Sequence, residues 1–310
     1  MGLAWLPSSF RNGGFPAFFP LLRLLAVLSF LSLCSNGAVG RNKNKDCYYG
    51  KGRRIRNVAG FQVKVEANPD WEDFEDDPCR AVVLDSQKKI VFSTSDHRFS
   101  IEVAGRDVNG DSIPDVVIAG FSGGAHCCWT YYFISLGAEP KLLLKFENER
   151  DAAIYEDEHT KRIYFGIQDG AFDYFDGLCH ACTPFPLVFF RLEGKRLVDI
   201  SSEFTTDYDD IVKESKAALK NEDLAAIAAM VTKPTETPQP ETRDAVERIL
   251  TIVFAYLYSG RENQARQELQ AMWPKFDQDR MWGLIQEQRR EGILRYVYGA
   301  GDAPAESCQR

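Results

Sequence analysis

Between residues 60 and 200 the apolar positions come in short runs separated by Gly, Asp, Asn and Pro. "AVVLD", "KIVFST", "FSIEVA", "DVVIAG", "WTYYFISL", "KLLLKF", "RIYFGI" and "LVFFRL" have strand length, are rich in β-branched and aromatic residues, and hold no 3.6-residue period over three turns. In "WTYYFISL" alternation puts Trp129, Tyr131 and Phe133 on one face and Thr130, Tyr132 and Ile134 on the other. The pattern predicts an antiparallel all-β region over 41–205.

Past residue 205 the period changes. "DYDDIVKESKAALKNEDLAAIAAMV" begins with acidic residues and continues in Ala, Leu, Lys and Glu, as a helix start and body do. "TKPTETPQPET" at 232–242 carries three prolines and reads as a linker. Over 244–276, Val246, Ile249, Ile252, Val253 and Tyr256 fall at helical spacing, Ser259 and Gly260 break the pattern, and Ala265, Leu269 and Met272 resume it. That is an αα-hairpin. A last helix over roughly 277–297 aligns Trp282, Ile285, Ile293 and Tyr296 before a polar tail at 301–310. The fold class is therefore α+β, with a small helical region over 206–300 following the β region.

The first 40 residues contain Arg11, Arg23 and no acid, lead into the apolar run "LLAVLSFLSLC", and end in the small residues Ala38, Val39 and Gly40. This is the layout of a signal peptide covering 1–40, whose apolar run is too short to span a bilayer. A secreted or periplasmic chain without a stable membrane span follows. Its loss reduces the 37 Lys and Arg to 35 against 45 Asp and Glu. So acidic a balance argues against nucleic acid as a partner, since phosphate neutralisation needs clustered Lys and Arg. It suits divalent cations and, at the cell envelope, an unidentified protein or glycan.

In "DVNGDSIPD" the oxygen-bearing side chains of Asp107, Asn109, Asp111 and Asp115 stand at positions 1, 3, 5 and 9, and Ile113 at 7 offers its carbonyl. Ca2+ takes six to eight oxygens, and alternating ligand with spacer wraps them about one centre. Gly110 lets the backbone turn. Position 12 is Ile118, so the bidentate glutamate of an EF-hand is missing. The alternative is a solvated turn, since Asp, Asn and Gly form turns unaided. The stretch resembles the calcium loop of FG-GAP and VCBS repeats, close to D-x-N-G-D-G-x-P-D before a hydrophobic strand. It keeps Asp107, Asn109, Gly110, Asp111, Pro114 and Asp115 and departs at Ser112, where the family has glycine and where serine must take a glycine-like conformation. The resemblance implies a structural calcium in an extracytoplasmic β-unit, propeller-like or a sandwich. The hairpin over 244–276 is likewise similar to a single tetratricopeptide repeat through Ile249, Ile252, Tyr256, Ala265 and Leu269. "DGAFDYFDG" at 169–177 lacks the alternation and reads as an acidic aromatic loop, with Phe172, Tyr174 and Phe175 as candidate exposed contacts.

Seven cysteines follow the signal: Cys47, Cys79, Cys127, Cys128, Cys179, Cys182 and Cys308. In an oxidising compartment they pair. Cys127 and Cys128 are expected to bridge to Cys179 and Cys182, and Cys47 to Cys79, leaving Cys308 over. His126 and His180 beside these cysteines, with the C-x-x-C at 179–182, keep zinc open as an alternative. A second alternative is an exchanging redox pair. "GFSGG" at 120–124 fits G-x-S-x-G and would make Ser122 a hydrolase nucleophile, with His159 or His180 as base. A nucleophile elbow must open a helix, however, and "WTYYFISL" is a strand sequence. The reading with most support is a non-catalytic calcium-binding module.

Overall fold

Residues 47–70, 78–124, 128–235 and 240–298 are described by a computed structural model. The expected signal segment, the tail, His126, Cys127 and Cys308 lie outside them. Among the described residues, strands follow one another in three four-stranded antiparallel meanders. The first comprises β1 (Ile55–Val58), β2 (Phe61–Ala67), β3 (Cys79–Leu84) and β4 (Ile90–Asp96). The second holds β5 (Arg98–Arg106), β6 (Asp115–Phe121), β7 (Trp129–Ser135) and β8 (Lys141–Asn148). The third holds β9 (Ala152–Glu156), β10 (Ile163–Gln168), β11 (Leu187–Glu193) and β12 (Arg196–Asp199).

The second sheet lies between two cores. Val116, Ile118, Tyr132 and Ile134 pack with Val63, Val65, Ala81 and Val83 of the first sheet. Their sequence neighbours Val117, Ala119, Tyr131 and Phe133 point the other way and pack with Phe165, Ile167, Val188 and Phe190 of the third. Side chains of successive residues alternate in a strand, so a run apolar at every position must be covered on both faces. That is why "DVVIAGF" and "WTYYFIS" carry no polar stripe. The far face of the third sheet turns Phe189 onto Phe204, stacked with ring centroids 4.1 Å apart, and onto Tyr208. A helical layer follows.

Its helices are α1 (Thr205–Ala218), α2 (Asn221–Ala228), α3 (Pro240–Tyr258), α4 (Glu262–Met272), α5 (Gln278–Glu291) and the single turn α6 (Arg295–Tyr298). The stretch read as one helix after residue 207 is two. Leu219 and Lys220 are extended, and Glu222 and Asp223 occupy a new first turn, where the helix dipole favours acids. The expected hairpin is α3 and α4. Val246, Ile249, Leu250, Ile252, Val253, Phe254 and Leu257 of α3 are all buried, so the second half of this helix is covered on nearly every side, while Arg243 and Asp244 of its first half are exposed. One core cluster joins these side chains to the second and third sheets.

The aromatic loop at 169–177 is the seam between sheet and helices. Phe172 is fully buried and Phe175 nearly so; their rings lie 4.6 Å and 6.1 Å from Phe254 of α3. The expectation that they are exposed contacts is thereby corrected for both, and of the three only Tyr174, 54% accessible, faces solvent. Asp176 is clasped by both terminal nitrogens of Arg280, at 2.8 Å each, and Arg280 also holds Asp277. Asp169 is completely buried. Its carboxylate accepts the Tyr258 hydroxyl at 2.8 Å and the N–H groups of Ile293 and Ala171 at 3.1 and 3.2 Å. Position 292 must be glycine for this approach, since a Cβ there would sit 2.2 Å from Asp169 Oδ2.

Burial pushes the Asp169 carboxyl up to about 6 from 3.8, against the hydrogen bonds that favour its charged form. Between about pH 4 and 6 the folded chain therefore holds a proton that the unfolded chain has released, so stability falls as pH rises through that window. Asp169→Asn removes this contribution. In urea melts, the stability of the variant relative to the parent should grow by up to ~3 kcal/mol as pH rises from about 4 to about 6. A pH-independent difference would show that Asp169 does not carry the proton.

Candidate functional site

The loop between β5 and β6 contains every residue of the expected cation set. Its turn is built by side chains capping backbone. The Asp107 carboxylate accepts the N–H groups of Gly110 at 2.7 Å, Asp111 at 3.2 Å and Ser112 at 2.8 Å. Asn109 Oδ1 accepts from the Asp111 N–H at 3.2 Å, and Asp111 Oδ1 from the Ile113 N–H at 2.8 Å. These short-range bonds form because Asx side chains reach backbone donors two to five residues ahead. They turn the oxygens of positions 1, 3 and 5 onto the loop's own backbone N–H groups.

Asp115 lies beneath that turn as the first residue of β6, only 1% accessible. Its Oδ2 accepts the Val108 N–H at 2.7 Å, while Oδ1 is buried with no hydrogen-bond partner. A buried carboxylate oxygen without a donor is costly and calls for an explanation. Burial, and then the neighbouring charges of Asp111 and Asp107, push this carboxyl up to about 6. The arrangement penalises negative charge at a position where a cation would be welcome. Ile113 is half-buried within the same loop. Among the described residues no group of three or more His, Cys, Asp or Glu is placed so that it could hold a metal ion. Here the donor set includes an amide and a carbonyl, and Asp107 Oδ2, with one N–H bond against two on Oδ1, retains a lone pair.

The loop is also anchored from outside. Asn109 Nδ2 donates to the Gly194 carbonyl at 3.2 Å, and the Gly194 N–H returns a bond to Asn109 O at 3.1 Å, tying the loop to the β11–β12 turn of the third sheet. Beside it opens a cleft of about 410 Å³ whose walls include Arg106, Lys161, Arg162 and Arg191. In an acidic chain this concentration of cations is notable, although Glu156 pairs with Arg106 and Lys161, and Glu193 with Arg191. The sequence did not single out these residues, because β5, the β9–β10 turn and β11 bring them together only in space.

Cys47 and Cys79 form the expected disulfide. Cys179 and Cys182 do not bridge to the β6–β7 loop: they are bonded to each other across a single 3-10 turn, with Cα atoms 5.0 Å apart. That turn brings the two ends of a C-x-x-C within ordinary disulfide reach, which the expected cross-pairing overlooked. Cys128 is disulfide-bonded as well. Sulfurs in disulfides are not thiolates, so these three cysteines offer zinc no ligand in this state. His180 instead faces Asp173 through Nδ1 at 2.8 Å and Arg150 through Nε2 at 3.2 Å. Ser122 lies in the link from β6 to its antiparallel neighbour β7, where its Oγ accepts the Cys128 N–H at 2.8 Å. Among the described residues the next element after it is the strand β7 and not a helix.

Comparison of the chain with protein-family models, with curated proteins and with solved structures returns no match.

Ser112 takes φ = +66° and Gly110 +84°. The left-handed region costs a side-chain-bearing residue on the order of 1 kcal/mol relative to glycine. Ser112→Gly should therefore raise stability by about 1 kcal/mol, read as an upward shift of the urea midpoint at unchanged slope. A destabilised glycine variant would mean that the serine hydroxyl, not the backbone, sets the preference at this position.

Proposed function

We propose that the chain is a non-catalytic, calcium-stabilised binding or scaffolding module that acts outside the cytoplasm on a protein or glycan of the cell envelope. The observation that carries this reading is the unpartnered, buried Oδ1 of Asp115 beneath a turn that gathers the oxygens of Asp107, Asn109 and Asp111. A Ca2+ ion held by these groups and the Ile113 carbonyl would supply the missing partner and relieve the mutual repulsion of the carboxylates. Its role would be structural. By fixing the β5–β6 turn against the β11–β12 turn, it would hold the second and third sheets in register at one end and shape the cleft beside them. The signal-like leader and the disulfides support an oxidising compartment. Among the described residues no helix is long and apolar enough to cross a membrane.

Thermal and urea denaturation of the full chain with calcium or EDTA test the proposal. With free calcium at about 100 times Kd, stability should rise by ~2.7 kcal/mol. Asp115→Asn retains an acceptor for the Val108 N–H but loses the charge, so it should fold and lose most of that gain. An unchanged melting temperature in wild type on adding calcium would sink the cation. Capture of the same envelope component in EDTA as in calcium would separate partner binding from the loop.

A further inference from the structure

The two described disulfides are unlike each other. Cys47 and Cys79 are each 2% accessible and lie 32 residues apart in sequence. Cys179 and Cys182 are three apart; Cys182 is 5% accessible, whereas Cys179 and Ala181 are exposed. A cross-link over a long loop removes much conformational freedom from the unfolded chain, and one over three residues removes little. The 179–182 bond therefore does little of the holding that the Cys47–Cys79 bond does.

Nor does its turn depend on the bond. The Cys182 N–H donates to the Cys179 carbonyl at 2.8 Å, and Thr183 Oγ1 donates to the same oxygen at 3.1 Å. These bonds brace the turn in addition to the disulfide. The surroundings are polar and fixed. Because a guanidinium only donates, Arg150 Nη2 at 3.2 Å makes His180 Nε2 the acceptor, and Nδ1–H then points at Asp173. Arg150 itself stacks 3.8 Å from the Phe185 ring centroid. The residue following the exposed Cys179 is thus an imidazole oriented from both sides, by Arg150 and by Asp173.

We propose that Cys179–Cys182 is a thiol–disulfide exchange site, with Cys179 as the attacked sulfur and an exposed dithiol of a partner protein as co-reactant. A partner thiolate attacks Cys179 Sγ, the Sγ–Sγ bond breaks, and Cys182 leaves as a thiolate that takes up a proton. The second partner thiolate then attacks its own mixed-disulfide sulfur and releases Cys179. The pair is reduced by two electrons and the partner dithiol is oxidised by two; the reverse sequence re-forms the bond.

The test uses the full-length oxidised chain, kept folded as judged by circular dichroism. Limiting dithiothreitol, iodoacetamide quenching and peptide mass mapping should show Cys179 and Cys182 alkylated roughly tenfold or more faster than Cys47 and Cys79. Equal rates, or opening only on global unfolding, would overturn the site. In single variants, oxidised glutathione should add to Cys182→Ala, which keeps the exposed sulfur, and not to Cys179→Ala; the opposite order refutes the assignment of the attacked atom. With reduced ribonuclease as the dithiol in a glutathione buffer, wild type should speed recovery of ribonuclease activity and Cys179→Ala should not. Equal recovery with and without the wild-type chain would remove protein dithiols as co-reactants.

Discussion

A sheet with both faces buried constrains nearly everything else in this molecule. Once Val116 and Ile118 are committed to one core and Val117 and Ala119 to the other, β6 has no solvent-facing side. Polar chemistry around the second sheet is thereby restricted to its ends and edges. One end carries the acidic β5–β6 turn. The other carries the Ser122 and Cys128 link, where the serine closes a loop between paired strands. A polar residue placed within the strands would have to find a partner inside an apolar layer, at a cost of several kcal/mol if it failed.

The same reasoning explains why the acidic turn is more than a surface loop. Asp115 is both the ninth residue of the turn and the first residue of a fully buried strand, so its carboxylate is drawn out of water by the strand. Val108 satisfies one oxygen and leaves the other. A turn whose last acid were exposed would leave no oxygen without a donor; here the strand withdraws one from water. At the opposite side of the third sheet a second buried carboxylate, Asp169, meets a similar demand differently, with three donors and a partial retreat from ionisation. Local donors are plentiful at that seam because a helix terminus, a tyrosine and a 3-10 turn converge there.

Much of this was legible in residue order. The strand runs, the switch to a helical period near 205, the hairpin broken at Ser259 and Gly260, and the one-three-five-nine oxygen pattern are all local properties. So was the conformation of Ser112, because the neighbouring turn dictates φ > 0 whatever the side chain. The errors have a common origin. The aromatic loop looked exposed because Asp residues surround Phe172 and Phe175, and only the arrival of Phe254 from a distant helix buries them. The cysteine pairing failed because chain proximity within one turn was weighed below an imagined contact between loops. The break at Leu219 and Lys220 is hidden in a composition that favours helix throughout.

By itself, then, the sequence determined the inner strands from β3 to β8 with β10 and β11, the later helical hairpin, the α+β class and the oxygen pattern of the acidic turn, since each follows from interactions spanning fewer than about ten residues; the short or edge strands β1, β2, β9 and β12 it did not mark. Only the tertiary structure decided which faces meet, which carboxylates lose their water, and which cysteine of the C-x-x-C meets solvent. Those outcomes depend on chain segments about 100 residues apart, as Asp176 with Arg280 and Asp169 with Ile293 show. Burial, which sets the charge and reactivity of a group, is a property of the packed layers and is not written in any single run of residues.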